Sequence, residues 1–303
     1  MSSILDNIGN TPLVLLRAEA GAAEVWAKFE AANPGGSIKD RIALSMIQDA
    51  RARGVLLPGA PVVEATSGNT GIGLAVVCSV LGHPLTLVLP ESMSVERLAA
   101  AEALGAKVVT TSVDDGMAGS VAAAFSISRD TGAFCPQQFD NPANPAIHER
   151  TTGPEIVEQL GRRIDAFVAV SGTGGTITGV GRFLKRHDPT TRVVAVEPAG
   201  SAVLSGGEPG PHMIQGIGPG FVPNVLDLSV VDEIVTCGDR EAWDMARQVA
   251  RQDGLLCGIS SGAAVAASRR LARALGPDAA IVTILPDTGE RCLSLAPYFE
   301  HAT

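Results

Sequence analysis

Ala166-Phe167-Val168-Ala169-Val170-Ser171-Gly172-Thr173-Gly174-Gly175-Thr176 decides the fold of this chain. The apolar run 166–170 reads as a buried strand, the glycine- and hydroxyl-rich stretch breaks it, and residues 177–186 continue as a helix. The same succession occurs earlier. Pro61-Val62-Val63-Glu64-Ala65 reads as a strand, Thr66-Ser67-Gly68-Asn69-Thr70-Gly71 as a loop, and residues 72–81 as a helix. Working outward, further helices are predicted over 40–53, 95–104, 117–129, 154–160, 240–253 and 262–275. Further strands are predicted over 85–89, 107–111, 192–196, 234–236 and 280–285. Such alternation predicts an α/β fold whose mostly parallel, twisted sheets are covered by helices.

With 303 residues the chain exceeds one small core, so two lobes are expected. The polar, proline-punctuated segment Gln137-Gln138-Phe139-Asp140-Asn141-Pro142-Ala143-Asn144-Pro145 suits the crossing from one lobe to the other. Boundaries are placed at 35–142 for a smaller lobe and 143–303 for a larger one, with part of 1–34 packing on the larger. Residues 205–220, rich in glycine and proline, read as a long functional loop.

Composition removes several function classes. Twenty-three basic residues against 32 acidic ones give a net charge of −9, and aromatics make up 4%. Nucleic acid is therefore not an expected partner. No apolar run approaches the ~20 residues of a membrane span, and the N-terminus lacks the pattern of a signal peptide. A cytoplasmic protein is expected. Cys78, Cys135, Cys237, Cys257 and Cys292 are scattered and read as small buried hydrophobes of a reducing compartment. His148-Glu149 begins like a zinc motif, but Thr152 stands where the second histidine would be, so no metal is expected.

The strand–loop–helix units are candidate anion sites. Amides opening a helix lack intrahelical acceptors and carry the positive end of the helix dipole. Glycines admit an anion closely, and hydroxyls add donors. Lysine usage adds a nucleophile. The chain has four lysines, Lys28, Lys39, Lys107 and Lys185, against 19 arginines. Lys39 stands in Asn33-Pro34-Gly35-Gly36-Ser37-Ile38-Lys39-Asp40-Arg41, at the mouth of a helix. An ammonium can lose its proton and attack, whereas guanidinium cannot. The other three lysines are expected at the surface.

Two motifs mislead. Gly172 to Thr176, with Glu197 ending the next strand, imitates a dinucleotide unit, but Ile177 occupies the position of its third glycine. Gly258-Ile259-Ser260-Ser261-Gly262 is a literal G-x-S-x-G followed by Asp287 and His301 in hydrolase order. Only residues 255–257 could serve as its strand, and no HGGG-type oxyanion segment accompanies it.

Together the Lys39 segment, Thr66 to Thr70, Gln137-Gln138-Phe139-x-Asn141-Pro142-Ala143-Asn144, Gly172 to Thr176 and Gly258 to Gly262 resemble the cysteine synthase (O-acetylserine sulfhydrylase) branch of fold-type II pyridoxal-phosphate enzymes. The likeness runs from Ile8-Gly9-Asn10-Thr11-Pro12-Leu13 to Leu285-Pro286-Asp287-Thr288-Gly289-Glu290-Arg291. It implies a tryptophan synthase β-like architecture, with a mobile substrate-binding smaller lobe and a cofactor-binding larger one. Lys39 is then the lysine that holds pyridoxal 5′-phosphate as a Schiff base. Gly172, Thr173, Gly174, Gly175 and Thr176 form the phosphate cradle, Asn69 meets the cofactor 3′ oxygen, and Ser260 meets the pyridine nitrogen. Thr66, Ser67, Gly68, Thr70 and Gln138 grip the substrate carboxylate.

The reaction so implied is β-replacement, forming L-cysteine from O-acetylserine and sulfide via an aminoacrylate. The segment His212-Met213-Ile214-Gln215-Gly216-Ile217-Gly218-Pro219-Gly220-Phe221 holds no Arg or Lys to meet a phosphate leaving group, which favours acetate. A cystathionine β-synthase-type condensation of serine with homocysteine is the alternative within this chemistry. A non-catalytic regulatory scaffold for serine acetyltransferase, whose C-terminal tail docks at the family's active site, is the alternative of another class. The resemblance also implies a homodimer. Cys292 stands where the family commonly carries tyrosine and reads as core or interface packing.

Overall fold

The computed structural model of the chain describes residues 3–66, 68–91 and 95–300. It divides into two compact units: one combines the segment ending at Ile8 with Asn33–Asn144, the other Gly9–Ala32 with the chain from Pro145 onward. In chain order the elements begin with β1 (Leu13–Leu15), β2 (Glu24–Phe29), α1 (Lys39–Ala52), β3 (Val62–Ala65) and α2 (Asn69–Leu81). Then come β4 (Leu85–Pro90), α3 (Val95–Ala103), β5 (Lys107–Thr111), α4 (Gly116–Thr131) and α5 (Ala143–Ile147). A π-helical turn (His148–Thr152) leads into α6 (Gly153–Leu160), β6 (Ala166–Val170), α7 (Gly175–His187), β7 (Arg192–Pro198) and β8 (Glu233–Cys237). The chain closes with α8 (Asp239–Asp253), α9 (Ile259–Leu275), β9 (Ala280–Leu285) and α10 (Ala296–Glu300).

The smaller unit is a three-stranded parallel sheet of order β3-β4-β5, with Val62 opposite Leu85 and Thr86 opposite Lys107. Ile47, Leu74, Val77 and Leu87 belong to one core cluster, and Val63, Ala65, Val88 and Ala124 of α4 to another. Every residue of β3 is therefore buried, Glu64 included. The larger unit holds six strands in the order β1-β2-β9-β6-β7-β8, parallel except where β1 runs against β2. β9 is buried along its whole length, which is why Ala-Ile-Val-Thr-Ile-Leu shows no alternation. Trp243 of α8 stacks on Phe299 at 4.8 Å, and Cys292 is packed in the same core. Two units with mostly parallel sheets flanked by helices are what the strand–helix alternation predicts.

Differences from the sequence reading have local causes. The sequence pattern predicts neither β1 nor β2: β1 has three residues, and β2 interleaves Val25 and Ala27 with polar neighbours. α2, α7 and α9 begin earlier than predicted, at Asn69, Gly175 and Ile259 rather than at 72, 177 and 262. Their first turns contain the Gly, Ser, Thr and Asn residues that read as loop, yet a helix start accepts these types because its first amides need no intrahelical partner. Residues 255–257 form no strand, only a single bridge from Cys257 to Thr288. His301 lies outside the described residues.

Lys28 corrects the expectation of a surface lysine. It is fully buried on β2, with Nζ 2.8 Å from Glu155 Oε2, donating to Thr11 O at 2.6 Å and to Gln159 Oε1 at 2.8 Å. A partner more than a hundred residues away neutralises the charge that composition alone assigns to the surface. Lys107 is exposed, and Lys185 is partly buried in an ion pair with Asp232.

Candidate active site

In the smaller unit, α1 begins at Lys39 itself. The loop before it folds back on the helix: Gly36 N donates to Asn33 O at 2.7 Å, and Gly35 N to the buried Asp40 Oδ2 at 2.5 Å. Gly35 must be glycine here, since a Cβ would lie 2.5 Å from Asp40 Oδ1. Lys39 N donates to Ser37 Oγ at 3.2 Å, and a Cβ on Gly73 of α2 would lie 3.0 Å from Lys39 O. The lysine backbone is thus held by its own loop and by α2, and its half-buried side chain starts from a fixed point.

The turn from β3 into α2 is organised by Thr66, whose Oγ1 accepts from Gly68 N at 3.1 Å and Gly71 N at 3.2 Å. Gly68 caps α2 at φ 147°, a conformation that requires glycine. Asn69 and Thr70 form the first turn of that helix. Thr70 Oγ1 donates to Gln138 Oε1 at 2.6 Å, and Gln138 Nε2 donates to Ala65 O at 2.9 Å. The structure therefore brings Lys39, Thr66, Gly68, Asn69, Thr70 and Gln138 into one unit. Ser67 lies outside the described residues.

Sequence reasoning missed Glu64, which holds the Gln137–Gln138 backbone. Its carboxyl accepts from Gln137 N at 2.7 Å and from Gln138 N at 3.3 Å, and the Cys135 thiol lies 4.0 Å away. Burial pushes the Glu64 carboxyl up to about 8, outweighing the two backbone bonds that favour ionisation; the Asp140 charge adds to the rise. Burial also pushes the Cys135 thiol up to about 12, with Glu64 contributing. No sequence signal marks Glu64, which sits in an otherwise apolar strand 73 residues before its first partner.

In the larger unit the loop between β6 and α7 is pinned at Ser171, whose N donates to Val196 O at 2.9 Å and whose O accepts from Gly218 N at 3.1 Å. A Cβ on Gly172 would lie 2.4 Å from Gly216 O. Gly174, the left-handed cap of α7 at φ 82°, has Leu226 Cβ at 2.7 Å from where its own Cβ would be. Gly175 and Thr176 open the 13-residue helix, so the amides of this loop sit at its positive end. Thr173 Oγ1 accepts from Gly175 N at 3.4 Å. Thr176 Oγ1 lies 3.3 Å from His148 Nε2, and His148 Nδ1 lies 3.0 Å from Thr152 Oγ1. His148, weighed in the sequence only as a zinc ligand, instead backs the Thr176 hydroxyl from the π-helical turn. Among the described residues no three His, Cys, Asp or Glu side chains gather as a metal site.

Ser260 is buried in the first turn of α9 behind its cap Gly258. Gly258 N donates to Asp287 O at 3.1 Å, and a Cβ there would lie 2.1 Å from Asp287 Oδ1. Gly262 lets α9 approach α8, its absent Cβ falling 1.9 Å from Ala242 O. The G-x-S-x-G pattern is thus a helix-start and helix-packing device, and no strand precedes it as a nucleophile elbow requires. No hydrogen bond to the Ser260 hydroxyl forms among the described residues. Within the larger unit, the glycine cradle at a helix N-terminus and the buried serine hydroxyl are of the types that suit the phosphate and ring nitrogen of pyridoxal 5′-phosphate; within the smaller unit, a lysine with a fixed backbone is of the type that suits its aldehyde.

Comparison with known proteins gives the same picture. The family model described as pyridoxal-phosphate dependent enzyme matches residues 4–287. The chain is similar to a cysteine synthase of Staphylococcus aureus, with 49% identity over 301 residues, 98% of this chain and 97% of that protein. It is similar in structure to O-ureido-L-serine synthase, at TM-score 0.96 and 44% identity, over 100% of this chain and 97% of that one. It is also similar to the O-acetylserine dependent cystathionine β-synthase of Helicobacter pylori, at TM-score 0.93 and 38% identity, over 97% of each chain.

Proposed function

The chain belongs to the pyridoxal-phosphate dependent enzyme family, and on that premise we propose that it catalyses β-replacement, making L-cysteine from O-acetylserine and sulfide. The observation that carries this reading is the joining of a lysine to a glycine- and hydroxyl-rich turn in one unit: Gly73, three residues past Thr70, packs against the Lys39 carbonyl.

When bound, pyridoxal 5′-phosphate supplies an aldehyde carbon for an amine and a conjugated ring that delocalises negative charge developing at the substrate Cα. Lys39 Nζ would hold the cofactor and, as a free amine, would accept the substrate Cα proton. The amides of Gly172 to Thr176 and the hydroxyls of Thr173 and Thr176 bind the phosphate at the positive end of α7. Ser260 would offer the ring nitrogen a neutral hydroxyl as its hydrogen-bond partner rather than a charged group. Asn69 binds the ring oxygen. Thr66, Ser67, Gly68, Thr70 and Gln138 bind the substrate carboxylate, and closure of their turn excludes water. Acetate is the leaving group, since His212 to Phe221 offers no Arg or Lys for a phosphate. In this reading the enzyme works as a homodimer, and the C-terminal tail of serine acetyltransferase is a candidate ligand of the carboxylate turn.

Likeness to the Helicobacter pylori enzyme favours a second reading, in which homocysteine replaces sulfide as the nucleophile. One titration separates the two. The purified protein should absorb in the near violet, O-acetylserine should shift the band, and sulfide should restore it with release of cysteine. Faster restoration by homocysteine than by sulfide selects the second reading. A protein that binds no added cofactor, or a Lys39→Ala variant that still turns over, refutes both.

A further inference from the structure

We propose that Glu64 is a positioning residue for the substrate: its carboxyl fixes the Gln137–Gln138 turn so that the Gln138 amide is presented to the substrate carboxylate. This rests on the reading of Gln138 as a carboxylate-binding residue.

The hydrogen-bond inventory of Gln138 shows what the fixed turn accomplishes. Ala65 O can only accept, so Nε2 must face it, and Thr70 Oγ1 then donates to Oε1. The amide group is oriented by these two bonds, and one of the two Nε2 hydrogens is left for a further acceptor. The backbone is held separately. Glu64 takes the amides of Gln137 and Gln138, and Asn144 Nδ2 donates to Gln138 O at 2.7 Å. Gln138 is thereby tied to two consecutive residues of β3, through the side chain of Glu64 and the carbonyl of Ala65.

Two unfavourable features meet at this point. Gln137 adopts φ 59°, uncommon for a residue with a side chain. Glu64 is 2% exposed, and no lysine or arginine pairs with it among the described residues. A buried carboxyl without a cation is unfavourable unless its oxygens are occupied, and the amides of a strained turn occupy them. Strain of this kind persists where surrounding structure over-determines it, typically beside a ligand. Glu64→Gln keeps the shape but replaces one accepting oxygen with an NH₂ group that cannot accept, so one of the two backbone bonds is lost.

The test uses the holoenzyme and its Glu64→Gln, Glu64→Ala and Gln138→Ala variants. O-acetylserine affinity is read from the cofactor band, KM and kcat from turnover, and amide exchange at Gln137 and Gln138 by mass spectrometry or NMR. Glu64→Gln should weaken O-acetylserine binding about tenfold, the scale of one hydrogen bond to a buried charged or strongly polar group. Glu64→Ala should weaken it further. KM should rise far more than kcat falls, the cofactor band should be retained, and exchange at Gln137 and Gln138 should accelerate. Binding within twofold of the parent in Glu64→Gln, while Gln138→Ala weakens it, overturns the inference alone. Unchanged binding in Gln138→Ala overturns the reading beneath it. Wild-type exchange needs no variant: the two amides must exchange as slowly as those of α4, and rates of an open loop overturn the proposal.

Discussion

Gly174→Ala tests whether the cradle is built by close packing or only by backbone freedom. The left-handed φ of 82° disfavours alanine by about 1–2 kcal/mol. The new methyl would also fall 2.7 Å from Leu226 Cβ and 3.1 Å from its Cα, the rigid base of that side chain. Relieving such overlap costs about 1–3 kcal/mol more. Gly161 supplies the control, since its φ is 65° and nothing lies within 4 Å of its absent Cβ. Gly161→Ala should therefore lose about 1–2 kcal/mol, and Gly174→Ala about 2–5 kcal/mol. In a unit of this size each kcal/mol shifts Tm by about 2–4 °C, so thermal unfolding should separate the variants by several degrees. Because the strain at 174 relaxes by moving the amides that open α7, Gly174→Ala should also weaken cofactor phosphate binding about tenfold or more, the equivalent of ~1.4 kcal/mol. Gly161→Ala should leave it unchanged. Equal losses of stability and equal cofactor affinity in the two variants would refute the close-packed cradle.

Two further perturbations act away from the cofactor. Lys28→Met removes a buried ammonium and with it the ion pair to Glu155, which is 16% exposed. Breaking a buried pair costs about 3–5 kcal/mol, and the partial exposure of Glu155 points to the lower end. Tm should fall by roughly 6–12 °C and recover largely when Glu155→Gln is added, whereas a single variant within a degree of the parent contradicts the assignment. Glu64 gives a pH signature. Its folded value of about 8 exceeds the ordinary 4.5, so the folded state keeps a proton that the unfolded state has released. The stabilisation is complete below about 4.5 and is lost as pH rises toward about 8, with the Cys135 thiol and Asp140 carboxylate as titratable neighbours. Glu64→Gln should flatten that part of the Tm–pH profile; a profile parallel to the parent's removes Glu64 as its source.

How much of this was legible follows from sequence distance. The turns Thr66 to Thr70 and Gly172 to Thr176 announce themselves because glycine and hydroxyl residues break apolar strands within a few positions, and Asn69, Thr70, Gly175 and Thr176 stand in the first turns of α2 and α7. Even the error in their helix boundaries is informative, since residues read as loop proved to be the first turn that carries the positive dipole end. The strand β2 escaped notice for a different reason. Lys28 makes its pattern look surface-exposed, and Glu155 and Gln159 on a distant helix, with the Thr11 carbonyl, make it a core position.

The acids show why residue type alone misleads. The surplus that gives a net charge of −9 reads as a surface property, yet several carboxyls turn inward and clamp loops. Asp40 takes Gly35 N before Lys39, Glu64 takes the amides of Gln137 and Gln138, and Glu197 takes Leu204 N at 2.7 Å and Ser205 N at 2.9 Å. The same Glu197 that mimics the ribose-binding acid of a dinucleotide unit thus anchors the start of the glycine-rich loop beyond β7. In each case a carboxyl at a strand end or helix start neutralises backbone donors that a tight loop cannot pair within itself. The Gly-rich start of the loop beyond β7 can be read from its own residues, but the carboxyl that takes its amides belongs to the preceding strand. Substitutions at such acids should therefore alter loop exchange and ligand affinity before they alter the fold.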